Sequence, residues 1–318
     1  MELSIIAAML KHKTIRKQWP WVMITLAIVL SACNPVAGTE TATASATVPL
    51  PTLIMVTQTA TDAPAPTSVP LAASVAGEGI PLSYLQNEMT RYRDALPQNE
   101  PAPADTEIQA LVLNYLVDQL LLAQAARDSG HGLSDQDLQA RIDQLLAQLG
   151  SGSALTNWMS ANHYDDAEFR LSLRLAADAA WQRDQIINAV PESVEQVRAR
   201  QIFTETLEEA EGVLTSLQSG TSFDKLAWEY NPETGGELGW FPRGYLLFQP
   251  VEDAAFALPE GTYSEIIQSE IGYHILMVIA HEDAHPLTTD ARLSLQSKAL
   301  ENWLQTRRNE TDIQILIP

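Results

Sequence analysis

Cysteine is almost missing from this sequence. Cys33 is the single one in 318 residues, which excludes an internal disulfide. Basic residues are scarce as well: 19 Lys and Arg stand against 40 Asp and Glu, for a formal net charge of −21. A chain this acidic does not grip nucleic acid or an anionic bilayer by electrostatics. Its acidity serves mainly solubility, with a preference for basic partners as the alternative reading. The apolar run near the N-terminus is short as well. The longest uncharged one near the N-terminus, Trp21 to Leu30, is about half of the roughly 20 residues a spanning helix needs.

What surrounds that short run gives it a meaning. Lys11, Lys13, Arg16 and Lys17 precede it, and small residues follow, the pattern of a cleaved export signal over residues 1–32. Leu30-Ser31-Ala32-Cys33 then matches the bacterial lipobox, in which the chain is cut before a cysteine that receives lipid. The alternative is an uncleaved anchor helix with an incidental cysteine. Without residues 1–32, which hold four basic residues and Glu2, the balance becomes 15 basic to 39 acidic, a net −24. Residues 34 to about 74 are mostly Thr, Ala, Pro, Ser and Val, with Glu40 and Asp62 the only charges. That composition buries no core and predicts a disordered tether, about 35 Å in reach as a flexible coil.

From about residue 77 the periodicity is helical. Leu113, Leu116, Val117, Leu120 and Leu121 share a broad face, and Leu138, Ile142, Leu145 and Leu149 share another. A long helix follows from Asp165 to about Asn188, stopped before Pro191. Beyond Pro191 the pattern changes. Residues 197–203 alternate like a strand, 205–219 and 222–230 read as helices, and 272–279 form a β-branched run. Strands at both ends with helices between them make a small α+β domain. A helix over 295–308 and a strand over 313–317 close the chain.

Five ordered blocks in this second part resemble the parvulin (rotamase) family of prolyl isomerases. They are Val197 to Phe203, Gly220 to Ala227, Gly235-Gly236-Glu237-Leu238-Gly239-Trp240-Phe241, Glu252 to Leu258, and Ile271-Gly272-Tyr273-His274-Ile275. The flanking parts resemble the SurA/PrsA-type chaperone module, with residues 75–80 similar to its opening hairpin, although Ala76 stands where Asn is usual. The resemblance implies an α+β architecture. A helical module is completed by the C-terminal helix and strand, and a parvulin domain carries a four-stranded antiparallel sheet with surrounding helices. The expected divisions are a signal over 1–32, a lipidated tether over 33–76, a chaperone module over 77–190, an isomerase domain over 191–286, and a returning segment over 287–318.

The implied activity is cis–trans isomerisation of X–Pro bonds in unfolded exported polypeptides. Rotation breaks amide resonance but forms no new bond, so it requires no nucleophile, metal or cofactor. The family holds the proline ring with a leucine, a methionine and a phenylalanine; the matching positions are Leu238, Leu246 and Val251, with Phe256 adding to the apolar pocket and Phe248 contributed by a one-residue insertion. Two histidines and a Cys or Asp lie beneath the amide in the family. Here the second histidine is His274, the first is replaced by Gln201, and the shortened loop offers Glu233 as the acidic stand-in. Glutamine forms hydrogen bonds but does not ionise. The segment Thr204 to Glu209 lacks the basic cluster of phosphate-directed parvulins.

Two rival functions remain at this level. One is a holdase whose parvulin domain is catalytically weak. The other is a zinc protease, because His281-Glu282-Asp283-Ala284-His285 satisfies H-E-x-x-H. That chemistry needs both histidines on one helical face, and Pro286 disfavours a helix at His285. Glu301 has no setting that marks it as a third ligand. For the N-terminus the expected outcome is direct: Cys33→Ser releases the protein from the membrane fraction and abolishes lipid labelling. A variant that fractionates like the parent makes an uncleaved helix the anchor.

Overall fold

The computed structural model describes residues 69–97 and 101–317. Residues 1–69 and 70–318 are separate units, and every element named below lies in the second. Cys33, the signal segment and nearly all of the tether lie outside the described residues.

Folded structure begins earlier than composition indicates. Strand β1 is Leu71–Val75 and β2 is Glu78–Pro81, so β1 occupies the end of the stretch read as tether over 33–76. The reason is packing: Ala72, Ala73 and Val75 are fully buried. Small residues that look linker-like in sequence are what a strand sandwiched on both sides requires. Ala76 and Gly77 turn the hairpin with φ of 51° and 82°. A two-residue turn with two positive φ values matches the twist of paired strands. Ala76 pays about 1–2 kcal/mol for that backbone, which Asn or Gly would reduce.

Helix α1 (Leu82–Asp94) leads to α2 (Asp105–Asp128), the central helix of the module. Helix α2 is long and apolar enough to cross a membrane, yet its apolar face, including Ile108, Val112, Leu116, Leu120 and Leu121, is buried within the protein. Ser134 caps α3 (Asp135–Leu149), which Gly150 ends in a left-handed conformation. After α4 (Gly152–Ala161), Asp165 caps α5 (Asp166–Asn188). A buried ion cluster joins α1 to the start of α5. Arg91 Nη2 donates to Glu88 Oε1 and Glu168 Oε1, both at 2.8 Å, while Nη1 donates to the His163 carbonyl at 2.9 Å. The guanidinium also lies 3.8 Å from the Tyr164 ring centroid. Removing one member of such a buried set costs about 3–5 kcal/mol, because the others remain charged and unpaired.

The second sheet has the order β4-β3-β6-β5, all antiparallel, built from β3 (Ser193–Thr204), β4 (Glu237–Pro242), β5 (Ile267–Gln268) and β6 (Tyr273–Pro286). Helices α6 (Leu207–Gln218) and α7 (Phe223–Tyr230) supply Val213, Leu217, Phe223 and Leu226 to Ile202 and Ile275 on one face. On the other, α8 (Gln249–Ala257) packs Val251, Ala255 and Phe256 against Val197, Ala199, Leu276 and Val278. Strand β6 runs past the β-branched stretch to Pro286, so the H-E-x-x-H segment is strand and not helix. His281 pairs with Glu195 at 2.9 Å and His285 stacks on Trp240 at 4.0 Å between ring centroids, which removes the geometry a zinc protease needs.

The chain then returns to its start. Helix α9 (Thr289–Glu310), longer at both ends than its apolar stretch, packs on α5 and α2, where Arg308 Nε donates to Asp118 Oδ1 at 2.6 Å. Strand β7 (Ile313–Ile315) pairs with the free edge of β1. A fragment of residues 70–190 lacks both. It is expected to melt without a cooperative transition by circular dichroism; a sharp transition matching that of the full chain would contradict this closure.

Candidate functional site

The pocket follows from an interruption in the sheet. Ala199 of β3 pairs with Gly239 and Arg200 with Glu237, so Leu238 is an extra residue on β4. This bulge, beside the left-handed Gly239 (φ 72°), turns Leu238 to the face that holds Phe241. Two more glycines set the neighbouring turn. A Cβ on Gly236 would stand 1.9 Å from the carbonyl oxygen of Gln201, whose N–H donates to Gly236 O at 2.8 Å. Gly235 leaves room for the Arg200 guanidinium, which donates from Nε (2.8 Å) and Nη2 (2.6 Å) to Gly235 O and pairs with Asp224 through Nη1.

An open cavity of about 390 Å³ results, within the range of small-molecule sites. Leu238, Leu246, Phe248 and Val251 give it apolar walls, and Gln201 and His274 give it a polar floor. Phe203 is directly opposite His274 in the β3–β6 ladder, with ring centroids 5.2 Å apart, and Phe248 lies 5.9 Å from the same imidazole. The loop carrying Leu246 to Phe248 is held from behind by Glu252. This carboxylate is 2 % exposed and accepts from the backbone N–H groups of Gly244, Tyr245 and Leu246 at 2.6, 2.9 and 2.9 Å. Its place in the first turn of α8 adds the favourable helix dipole.

The floor is a continuous hydrogen-bonded chain. His274 Nδ1 donates to Gln201 Oε1 at 2.9 Å, and Ser269 Oγ donates to His274 Nε2 at 2.8 Å. Gln201 Oε1 can only accept, which places the imidazole proton on Nδ1 and leaves Nε2 as the acceptor. Both ring nitrogens are thereby occupied. Burial, at 3 % exposure, lowers the His274 pKa and keeps the ring neutral at neutral pH. No other residue lining the cavity titrates near neutrality.

Of the residues expected from sequence, Gln201, Leu238, Leu246, Val251 and His274 therefore meet in one cavity. Two do not join them. Glu233 is exposed in the turn after α7, and Asn231 lines the cavity instead, because the short loop turns back immediately at Gly235-Gly236. Phe256 is a core residue, edge-on to Phe241 at 6.0 Å. It lies five residues beyond Val251, about 140° further around the helix, and is not among the residues that line the cavity. Ser269 and Glu252 were not identified as site residues from sequence, since neither role leaves a local pattern. Leu247 and Ile271 at the cavity mouth were missed for the same reason.

Parts of the chain are similar to known proteins. Residues 187–280 match the model of the PPIC-type PPIase domain, and residues 13–165 match that of a SurA-like N-terminal domain. The foldase protein PrsA of Geobacillus sp. (strain WCH70) is 29% identical over 126 residues, covering 38% of this chain and 45% of that protein. Foldase protein PrsA of Caldanaerobacter subterraneus subsp. tengcongensis is 28% identical over 191 residues, covering 52% and 55%. The chain thus spans about half the length of these curated relatives. A crystal structure of the peptidylprolyl isomerase PrsA from Bacillus anthracis aligns with 22% identity and a TM-score of 0.40 over 62% of this chain and 96% of that one. By these two matches the chain has the make-up of a PPIC-type parvulin domain over residues 187–280 with a SurA-like N-terminal domain before it, and the bulged strand, the glycine pair and the His274 floor fall inside the first matched segment.

Proposed function

We propose that the chain is an extracytoplasmic folding factor that isomerises X–Pro bonds in unfolded exported proteins. Residues 191–286 are the isomerase domain. The helical module, extended to begin at residue 70 and completed by 287–318, holds the client, and lipid on Cys33 ties both to the membrane. The observation that carries the catalytic reading is the cavity itself: apolar walls of Leu238, Leu246, Phe248 and Val251 over a neutral, fully hydrogen-bonded Gln201–His274–Ser269 floor.

Uncatalysed X–Pro isomerisation takes tens to hundreds of seconds, because the planar amide must lose its resonance. The twisted amide is less polar than the planar one. Walls that hold the ring and exclude water therefore favour the transition state over the ground state. The floor fits this role. With both nitrogens of His274 engaged, the imidazole fixes Gln201 and the loop of Ser269 and is not a free general acid or base. Gln201 and His274 are thus residues of a polar floor beneath the amide, and the site residues are Leu238, Leu246, Phe248 and Val251 for the ring.

Proline-peptide isomerisation by the full chain is expected to run above background but slowly. His274→Ala should lower the rate about tenfold, or 1.4 kcal/mol, with the fold retained. Gln201→His should raise it by restoring the histidine pair of the resemblance. If the wild-type protein leaves the rate at background while suppressing aggregation of an unfolded client, the holdase reading replaces the catalytic one.

A pH dependence follows from the floor. The folded pKa of His274 lies below its unfolded value of about 6.5. Protonation therefore favours the unfolded chain: the stability His274 contributes is complete above about pH 6.5 and is lost as pH falls through the lowered folded pKa. The isomerisation rate should be flat from about pH 7 to 8.5. The fall in thermal midpoint between pH 7.5 and pH 5 should be smaller in His274→Gln than in the wild type, and an equal fall in both would remove His274 as its source.

A further inference from the structure

Outside the cavity lies a charged cluster that neither its walls nor its floor use. Arg243 is the first residue after β4 and opens the loop that carries Leu246 and Phe248 to α8. Its Nε donates to Glu195 Oε2 at 3.2 Å, and its guanidinium lies 4.1 Å from the Phe256 ring centroid. The other oxygen of Glu195 accepts from His281 Nε2 at 2.9 Å, and the His281 ring stands edge-on to Phe256 at 5.9 Å. Four side chains, from β3, β6, α8 and the loop, thus form a closed circuit. The His281 hydrogen bond first, opposed by partial burial, and then Arg243 hold the Glu195 carboxyl below its ordinary value, so it stays ionised and accepts from both. Glu252 ties the same loop to α8; Arg243 adds a tie to β3. The side chains of Arg243 and Glu195 are 54 % and 40 % exposed. An ion pair that open contributes little to stability. A planar cation gripped by a carboxylate and laid on a ring does have a fixed direction.

Resting on the isomerase reading above, we propose that Arg243 is a positioning residue for isomerisation. Held by Glu195 and seated on Phe256, it sets the direction in which the loop leaves β4, and so the placement of Leu246 and Phe248 against the floor. His281 takes part by keeping Glu195 turned toward the guanidinium. None of the three lines the cavity, so they act through the wall and not on the proline. A shaped site depends on such fixing, because a wall displaced by a fraction of an ångström grips the ring less well and admits water.

The test uses the full chain and the peptide Ala-Ala-Pro-Phe. NMR reads cis–trans exchange, peptide affinity and the methyl signals of Leu246, and a melting curve reads stability. Arg243→Met, which keeps the apolar contact and loses the charge, is expected to lower kcat/KM and peptide affinity about fivefold each and to shift the Leu246 methyls. Its thermal midpoint should stay within about 2 °C of the wild type, as an exposed pair requires. Arg243→Lys should recover the rate to within about twofold. Glu195→Gln should lose about threefold, and the double variant no more than Arg243→Met alone, because both remove one interaction. Unchanged kcat/KM and affinity in Arg243→Met, a loss that Lys does not rescue, or losses that multiply in the double variant overturn the proposal. If Arg243→Met does not fold, Glu195→Gln decides: a wild-type rate and affinity there overturn it equally. A wild-type rate at background overturns the isomerase reading alone, since affinity and the Leu246 methyls still report the wall. Failure of the wild type to bind the peptide overturns both.

Discussion

Strands β3 and β6 pair along almost their whole lengths, from Ser193 opposite Pro286 to Thr204 opposite Tyr273. In that ladder Gln201 and Phe203 share a face with Val197 and Ala199, so one strand builds core at one end and cavity floor at the other. A slip of one residue would send Gln201 and His274 to the face of α6 and α7 and destroy the site. Bulges make the register costly to change: Leu238 is the extra residue on β4 and Ile279 the extra residue on β6. The bulge between β3 and β4 also aims Leu238 into the cavity.

Around that ladder, polar groups act mainly as scaffolding. Glu252 collects three backbone N–H groups, Arg200 grips the Gly235 carbonyl twice, and Ser269 holds both the His274 ring and the Ile271 backbone. Each ties a loop to a rigid element. The cavity walls can then be apolar side chains on short loops without being loose. This arrangement suits chemistry that asks for a shaped, dry environment more than for proton transfer. Gln201 completes the hydrogen-bonded chain through His274 to Ser269.

The helical module solves a different problem, closing a core with segments far apart in the chain. Strand β1 has a partner on each edge, one next to it in sequence and one at the far terminus. Arg91 fixes α1 to the start of α5 through two carboxylates, and Arg308 on α9 reaches α2. The parvulin-type domain is thus inserted between two parts of one module. Its sheet runs from Ser193 to Pro286, immediately before α9 begins.

Much of this is determined by local sequence. The helical periodicities, the glycine pair at 235–236 and the His274 block each rest on residues close together in the chain, where spacing alone carries the physics. Gln201, Leu238 and His274 lie in the blocks that carry the resemblance, and Leu246 and Val251 were carried over by it from just outside them; the structure brings all five to one cavity. What only the tertiary structure decided involves residues whose meaning depends on a distant partner. The small residues Ala72 and Ala73 read as linker until β2 and β7 bury them. H-E-x-x-H suggests a metal site until the pairing with β3 makes it strand. Glu233 and Phe256 satisfied the pattern but not the geometry, because a tight turn and a rotation of about 140° along a helix point them away. Glu252, Ser269, Leu247 and Ile271 acquire their roles only when separate loops converge on one cavity, since a hydrogen bond or an apolar contact between segments leaves no period in either one.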